Sequence, residues 1–284
     1  MPDPETTARH LRRSASGDAG VSGGIAEAFA AARAERRAAL MPYMMGGFPD
    51  RETSLAVAEA YAEGADLIEL GVPFSDPLAD GPVIHAAATT ALAAGATLET
   101  VLETCTAVAG RVPVVLMVYS NMVIGGGGPE AFAAAAAGAG ASGVIVPDLP
   151  LGEADDVRAA LAAAGLDCVP LLAPTTTPER REKICRSASG FLYLVSDVGT
   201  TGERGELPAD LSRLVEQARD VSPVPVAVGF GIGTPEQAAE VARHADGVII
   251  GSRLVRMVGE AADPKEAAAA VSGFLRETRD AIAG

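Results

Sequence analysis

The chain has 284 residues, of which 49% are hydrophobic and only 4% aromatic, and its formal net charge is −15. Nucleic acids and anionic membranes are bound through clustered Lys and Arg, so this charge argues against both as partners. The length suits one large domain, and an α/β barrel typically needs about 250 residues.

The N-terminal segment mixes Pro, Arg, Ser, Gly and Asp without hydrophobic periodicity. We therefore expect a flexible tail over 1–24 and one folded domain over 25–284. The tail lacks the apolar core of a secretory signal, and no apolar run approaches the roughly 18 residues of a membrane span. The three cysteines lack metal-ligand spacing and are typical of reduced thiols. We expect a cytoplasmic protein.

The folded domain begins with a predicted amphipathic helix from Ile25 to about Arg37, after which short apolar runs alternate with helical segments. Near-continuous apolar strands separated by helices are typical of parallel sheets buried on both faces. Eight of them, without a Gly-rich dinucleotide fingerprint after the first, favour a single (β/α)8 TIM barrel with an extra N-terminal helix over an open sheet. The predicted strands are Leu40–Met45, Leu67–Leu70, Val114–Val118, Gly143–Val146, Cys168–Leu172, Phe191–Val195, Val224–Val228 and Gly247–Ile250.

Two carboxylates lie at and just beyond the end of the second predicted strand. Glu69 lies in a short apolar run, and burial raises the pKa of a carboxyl without a partner, which lets it donate a proton near neutrality. Asp80 lies in the Pro- and Asp-rich loop that follows, which can keep it wetter and more acidic. The alternative is a salt-bridged Glu69 beside an ordinary turn.

Other polar side chains follow the third and fourth predicted strands, at the end where barrels place their chemistry. Tyr119 and Asn121 follow the third strand, and Asp148 follows the fourth. The alternative for Asn121 and Asp148 is that they cap helices or hold turns.

Glycines follow the last two predicted strands, at Gly229–Gly233 and at Gly251 with Ser252. Exposed backbone N–H groups and helix N-termini bind phosphate without lysine, and the only lysines are Lys183 and Lys265. A third stretch, Gly199–Gly202, can complete the pocket or form a mobile lid. The alternative is that the glycines only permit tight turns.

Residue types that are absent from the predicted strand ends narrow the chemistry. No lysine lies there, which disfavours a Schiff-base aldolase. The histidines are structural or solvated in this interpretation, because His10 is in the tail, His85 in a helical stretch and His244 behind a helix. No metal site is therefore predicted. Cofactor-free acid–base chemistry on a small phosphorylated substrate remains.

Over roughly 40–260 the chain resembles the α subunit of tryptophan synthase. The matching segments follow the family's order and spacing and are Glu69–Pro82, Gly190–Ser196 with Thr201 and Gly202, Gly229–Gly231, and Gly251–Ser252. The resemblance implies cleavage of indole-3-glycerol phosphate to indole and glyceraldehyde 3-phosphate in tryptophan biosynthesis. It also implies a pyridoxal-phosphate-containing β subunit as partner in a heterotetramer, with no cofactor on this chain.

The resemblance implies a role for each site residue. Glu69 would protonate indole C3 and later take the glycerol hydroxyl proton, while Asp80 would stabilise positive charge near the indole nitrogen. Tyr193 and Thr201 would orient the two carboxylates. Backbone amides would hold the phosphate, namely those of Gly202, Gly231, Gly251 and Ser252. Three further residues would lie near the substrate or the partner surface: Tyr43, Tyr119 and Asn121.

Two loops depart from the family pattern, Asp197–Gly202 and Asn121–Gly128. The second lies in a region that the family uses against its β subunit. Two alternatives therefore stay open: a free-standing indole-3-glycerol phosphate lyase that supplies secondary metabolism, and a catalytically silent barrel that binds phosphate or regulates a partner. The paired carboxylates favour an enzyme, because a silent barrel has no need of a buried strand-end carboxylate.

Overall fold

A computed structural model describes residues 24–195, 211–229 and 231–284. Its strands are β1 (Ala39–Met45), β2 (Ile68–Gly71), β3 (Val114–Met117), β4 (Gly143–Ile145), β5 (Asp167–Val169), β6 (Leu171–Leu172), β7 (Leu192–Val195), β8 (Val226–Gly229) and β9 (Gly247–Ile250).

The helices alternate with these strands along the chain. They are α1 (Ile25–Ala34), α2 (Arg51–Gly64), α3 (Pro82–Ala93), α4 (Leu98–Val108), α5 (Ser120–Ile124), α6 (Pro129–Gly138), α7 (Asp155–Ala163), α8 (Pro178–Arg186), α9 (Leu211–Arg219), α10 (Pro235–Ala242), α11 (Ser252–Glu260) and α12 (Pro264–Ala283). No helix within the described ranges is long and apolar enough to span a membrane. The predicted tail lies outside the described residues except for Gly24, and it stays a prediction.

The strands form one parallel sheet in the order β5-β4-β3-β2-β1-β9-β8-β7-β6. β1 pairs with both β2 and β9, so the first and last strands of the chain are neighbours. The two ends of this order, β5 and β6, are consecutive in the chain and separated by a single residue. The sheet therefore curls into a barrel, which confirms the predicted (β/α)8 architecture.

The fifth predicted strand, Cys168–Leu172, is not continuous, and this part of the prediction was wrong. Pro170 divides it into β5 and β6, because proline has no N–H to donate to a ladder. The Pro170 carbonyl still accepts a hydrogen bond from the Tyr193 N–H at 3.1 Å. β5 pairs with β4 and β6 pairs with β7, so nine short strands fill eight barrel positions.

Strand residues with odd numbers face the barrel interior, and even-numbered residues pack beneath the helices. Register keeps odd positions opposite one another, as in the pairs of Tyr43 with Glu69 and of Tyr193 with Ala227. Most of these odd-numbered residues form a cluster separate from the layer under the helices, and α1 belongs to that inner cluster. Tyr43 and Met45, near the carboxyl end of β1, pack instead with residues of α3 and α11. Glu69 thus lies inside the barrel, with its neighbours set by the strand register.

Helix α1 closes the amino end of the barrel. The Phe29 ring packs against Gly247, the first residue of β9. It fits only because this residue is glycine, since a Cβ there would lie 2.9 Å from Phe29 Cε1. Ile25 and Phe29 are both buried there. With this end plugged by apolar side chains, the opposite end of the barrel is the one at which a polar site can open.

Candidate active site

Glu69 is an isolated carboxyl inside the barrel. Its side chain belongs to the second residue of β2 and is 1% exposed. Neither carboxyl oxygen has a hydrogen-bond partner among the described residues. Burial, assisted by the nearby charge of Asp80, raises the pKa of Glu69 to about 8. The salt-bridged alternative finds no support in the described part of the chain, and the carboxyl can hold a proton at neutral pH.

Asp80 approaches Glu69 from the loop between β2 and α3, and it is half-buried. Burial raises the pKa of Asp80, whereas a hydrogen bond with Tyr119 and the nearby His85 act to lower it. Tyr119 and His85 therefore favour the ionised form of Asp80. The two carboxyls thus have different surroundings, because Glu69 is fully enclosed and Asp80 has polar neighbours.

Tyr119 fixes the loop that carries Asp80. Its ring stacks on Phe74 with the centroids 5.1 Å apart, and its hydroxyl accepts a hydrogen bond from the Ala79 N–H at 3.0 Å. Phe74 and Ala79 both belong to the loop, while Tyr119 directly precedes α5. Two ends of the loop are thereby attached to one buried side chain.

Two further tyrosines point into the interior, and each hydroxyl lies over a glycine of the neighbouring strand. A Cβ on Gly71 would be 2.2 Å from the Tyr43 hydroxyl oxygen, and one on Gly229 would be 2.3 Å from that of Tyr193. Burial is the main cause that raises the pKa of both tyrosines, and the charge of Glu69 adds to it. Both hydroxyls therefore stay protonated at neutral pH and can donate hydrogen bonds.

Three of the predicted phosphate residues, Gly231, Gly251 and Ser252, follow the carboxyl ends of β8 and β9. Gly231 adopts a φ of +52°, which favours glycine, and Gly251 is the N-cap of α11 without a side-chain hydrogen bond at the cap. By contrast, Thr234 and Gln237 form a capping box at the start of α10. Ser252 begins α11, so its N–H belongs to the set that an α-helix leaves without an internal partner. Of these two helix starts, that of α11 is the one left open to an anion.

Some predicted site residues lie away from this arrangement. Thr201 and Gly202 lie outside the described residues. Asn121 is exposed on α5. The Asp148 carboxylate accepts hydrogen bonds from the Ser120 N–H at 2.8 Å and the Ser120 hydroxyl at 2.7 Å. Asp148 thus holds the start of α5, which agrees with the capping alternative.

Two residues near the carboxylates were not expected from the sequence. Phe74 had no assigned role, and its contact with Tyr119 joins positions far apart in the chain. His85 was interpreted as structural or solvated, yet it acts on Asp80. A signal for His85 was available, because the N1 proline of α3 places it in the first turns after Asp80.

Within the described ranges, no group of three or more His, Cys, Asp or Glu side chains is placed to hold a metal ion. What the interior offers is a protonated carboxyl, a second carboxylate with polar neighbours, two hydroxyl donors and an open helix N-terminus. Such a set can transfer a proton to and from a bound anionic substrate.

Comparisons with known proteins agree with this arrangement. A family model described as "Tryptophan synthase alpha chain" matches residues 29–283. The tryptophan synthase alpha chain of Gloeobacter violaceus is 45% identical over 263 residues, covering 91% of this chain and 95% of that protein. The alpha chain of Phenylobacterium zucineum is 49% identical over 242 residues, covering 84% of this chain and 87% of its own length.

Solved structures give the same result. Tryptophan synthase of Mycobacterium tuberculosis superposes with a TM-score of 0.84 at 37% identity, covering 91% of this chain and 97% of that one. The alpha subunit from Legionella pneumophila gives a TM-score of 0.82 at 37% identity, covering 92% and 99%. A chain from the tryptophan synthase a2b2 complex of Pyrococcus furiosus gives 0.79 at 36% identity, covering 85% and 98%. This chain belongs to the tryptophan synthase alpha chain family.

Proposed function

We propose that this chain cleaves indole-3-glycerol phosphate to indole and glyceraldehyde 3-phosphate, as the alpha subunit of tryptophan synthase. The observation that carries the proposal is Glu69, a buried carboxyl with a pKa of about 8 on an interior strand of a barrel that belongs to this family. Protein interiors tolerate a lone carboxyl poorly, and a raised pKa is what a general acid requires.

In the proposed reaction Glu69 supplies and recovers one proton. The protonated carboxyl gives its proton to indole C3, and the resulting positive charge lies near the indole nitrogen, where Asp80 stabilises it. The ionised Glu69 then takes the proton of the glycerol hydroxyl next to the bond that breaks. The bond electrons return to the indole ring and the hydroxyl carbon becomes an aldehyde. Protons balance, so the step needs no cofactor on this chain.

The substrate phosphate would bind backbone amides rather than basic side chains. The positive φ of Gly231 and the open N-terminus of α11 at Gly251 and Ser252 support this placement. Thr201 and Gly202, which lie outside the described residues, remain proposed as an orienting hydroxyl and a further phosphate-binding amide. Tyr193 remains proposed as an orienting residue for Glu69. In support, the charge of Glu69 adds to burial in raising the pKa of the Tyr193 hydroxyl.

We also propose that the chain works with a β subunit in a heterotetramer. The similar chain from Pyrococcus furiosus comes from an a2b2 complex with mutual activation, and the present chain covers 98% of that relative. A cytoplasmic location is proposed on the three cysteines, which are free thiols typical of a reducing compartment.

Turnover of the purified chain on indole-3-glycerol phosphate, with and without a tryptophan synthase β subunit, tests the proposal. We expect slow release of indole alone and strong acceleration with the β subunit. A rate near the enzymatic median, on the order of 10 per second, with no response to any β subunit would identify a free-standing lyase. No indole release in either arm, from a folded chain, would leave only the catalytically silent barrel.

A further inference from the structure

Tyr43 lies beside Glu69 on the adjacent strand. The two residues are register partners on β1 and β2, and both are odd-numbered positions that face the interior. Tyr43 is 5% exposed, so its ring is part of the wall next to the carboxyl. The side chain of Tyr43 is therefore a direct neighbour of Glu69 in the barrel.

The Tyr43 hydroxyl reaches toward the mouth of the barrel and lies against Gly71. A Cβ on Gly71 would be 2.2 Å from the hydroxyl oxygen, so only glycine leaves room for it. Gly71 is the last residue of β2, two positions beyond Glu69 and ahead of the loop that carries Asp80. The hydroxyl thus lies beside the end of β2, where the charges of both Asp80 and Glu69 act on it.

This hydroxyl lacks a good acceptor among the described residues. Its one hydrogen-bond contact there is Met45 Sδ at 4.0 Å, and a thioether is a weak acceptor. By comparison, the buried Tyr61 hydroxyl donates to the Tyr43 backbone carbonyl at 3.3 Å. A buried donor that is poorly satisfied costs stability. We therefore look for an acceptor that the Tyr43 hydroxyl serves during the reaction.

We propose that Tyr43 is a positioning residue whose hydroxyl donates a hydrogen bond to the Glu69 carboxylate after Glu69 has given up its proton. The bond holds the ionised carboxylate in place until it takes the hydroxyl proton of the substrate. No covalent bond forms at Tyr43, and its own proton stays on the phenol oxygen. The inference rests on the proposed function and adds a residue that acts through Glu69.

Replacing Tyr43 by Phe removes the donor and keeps the ring. A hydrogen bond to a charged group stabilises that charge by an amount that corresponds to roughly tenfold in an equilibrium. We therefore expect Tyr43→Phe to lower kcat about tenfold with KM within twofold. Loss of a donor to the carboxylate also disfavours its ionised form, so the alkaline limb of the kcat/KM profile should move to higher pH.

Tyr61→Phe is the matched control. It deletes a buried tyrosine hydroxyl that contacts the same residue through its backbone, and it leaves the Tyr43 hydroxyl intact. This variant should lose some resistance to urea and keep the wild-type pH profile. If Tyr43→Phe raises KM with an unmoved pH profile, the hydroxyl binds substrate instead, and if it behaves like Tyr61→Phe, it is structural. Either result overturns the proposal.

A titration that needs no turnover separates this inference from the proposed function. Carboxyl ¹³C NMR of Glu-labelled protein, with Glu69→Gln used to assign the signal, reports the ionisation of Glu69 directly. The Glu69 midpoint should rise in Tyr43→Phe and stay unchanged in Tyr61→Phe. If wild type released no indole but this shift were present, only the proposed substrate would fail. An unshifted midpoint in an active enzyme would reject the role of Tyr43 alone.

Discussion

The hydroxyl of Tyr119 accepts a hydrogen bond from the backbone N–H of Ala79 at 3.0 Å, one residue before Asp80. The Asp80 loop therefore takes its position from a side chain at the end of another strand. Because the same hydroxyl interacts with the Asp80 carboxylate, its loss should affect both the place and the charge of Asp80.

Tyr119→Phe should lower kcat/KM roughly tenfold, since it removes a hydrogen bond to a charged group and leaves the Phe74 stacking intact. Steady-state kinetics on indole-3-glycerol phosphate would measure this loss. Ser75→Ala is the control in the same loop, because the Ser75 hydroxyl donates to the exposed carboxylate of Asp76 at 2.6 Å. Equal losses in both variants would show that any disturbance of the loop is enough.

Glu69→Gln should reduce indole release by about 10²-fold or more, the range for loss of a general acid–base group. The wild-type kcat/KM should fall as pH rises through about 8, because the proton that Glu69 donates is lost there. The two carboxyls titrate as a coupled pair, so the limb reports the pair. A variant within tenfold of wild type would remove Glu69 from the mechanism.

The same carboxyl should make stability depend on pH. In the folded chain the pKa of Glu69 is about 8, against 4.5 for the free group. Between these values the folded state holds a proton that the unfolded state releases, so the contribution of Glu69 is complete below pH 4.5 and lost above pH 8. Glu69→Gln should therefore gain resistance to urea relative to wild type as pH rises, by on the order of a few kcal/mol at most. Equal pH dependence in both proteins would contradict the raised pKa.

Gly231→Val should weaken binding of the substrate phosphate, because a side chain would fill the space next to the amide and strain a φ of +52°. KM should rise more than tenfold, a rough scale for a lost anion contact. Gly165→Val is the matched control, since Gly165 has a φ of +77° and nothing within 4 Å of an added Cβ. That variant should lose stability through backbone strain and keep its KM. Similar KM values for the two variants would place the phosphate elsewhere.

Asp66→Asn should destabilise the fold. Asp66 accepts hydrogen bonds from Arg37 Nη2 at 2.8 Å and from the Leu40 N–H at 2.7 Å, and the Arg37 side chain is 2% exposed. Removing the charge of Asp66 leaves the buried Arg37 guanidinium with the half-exposed Glu35 carboxylate as its remaining ion partner among the described residues, at a cost of about 3 kcal/mol. Glu103→Gln, which breaks an exposed pair with Arg51, should cost less than about 1 kcal/mol. Urea denaturation of both variants at pH 7 would decide this.

The sequence was sufficient to identify the barrel and to locate the buried carboxyl of Glu69, whose role as general acid stays a prediction. Apolar runs of strand length repeat along the chain, and Glu69 is the ionisable residue within one of them, so both signals are local. The glycines after the last two strands were visible for the same reason. Their role as a phosphate site stays a prediction, as do the roles of Thr201 and Gly202.

The contacts that position Asp80 could not be read from the sequence. Tyr119 and Ala79 are 40 residues apart, and only the curvature of the sheet brings them together. The split of the fifth strand could have been predicted, because Pro170 lies within the predicted strand and its missing N–H is a local signal. Asp148 caps a helix start, which was the alternative to a role in the site, since a carboxylate at a strand end can serve either purpose.

The interruption at Pro170 leaves a weak point between β5 and β6. The Cys168 backbone on β5 is hydrogen-bonded there by a side chain: the Ser189 Oγ accepts from the Cys168 N–H at 2.9 Å and donates to the Cys168 carbonyl at 3.3 Å. Local opening follows the weakest hydrogen bonding, so the Cys168 amide should exchange with deuterium sooner than amides of β1. Ser189→Ala should accelerate that exchange and leave β1 unchanged. The barrel can thus open along one edge while the strands that hold Tyr43 and Glu69 stay paired.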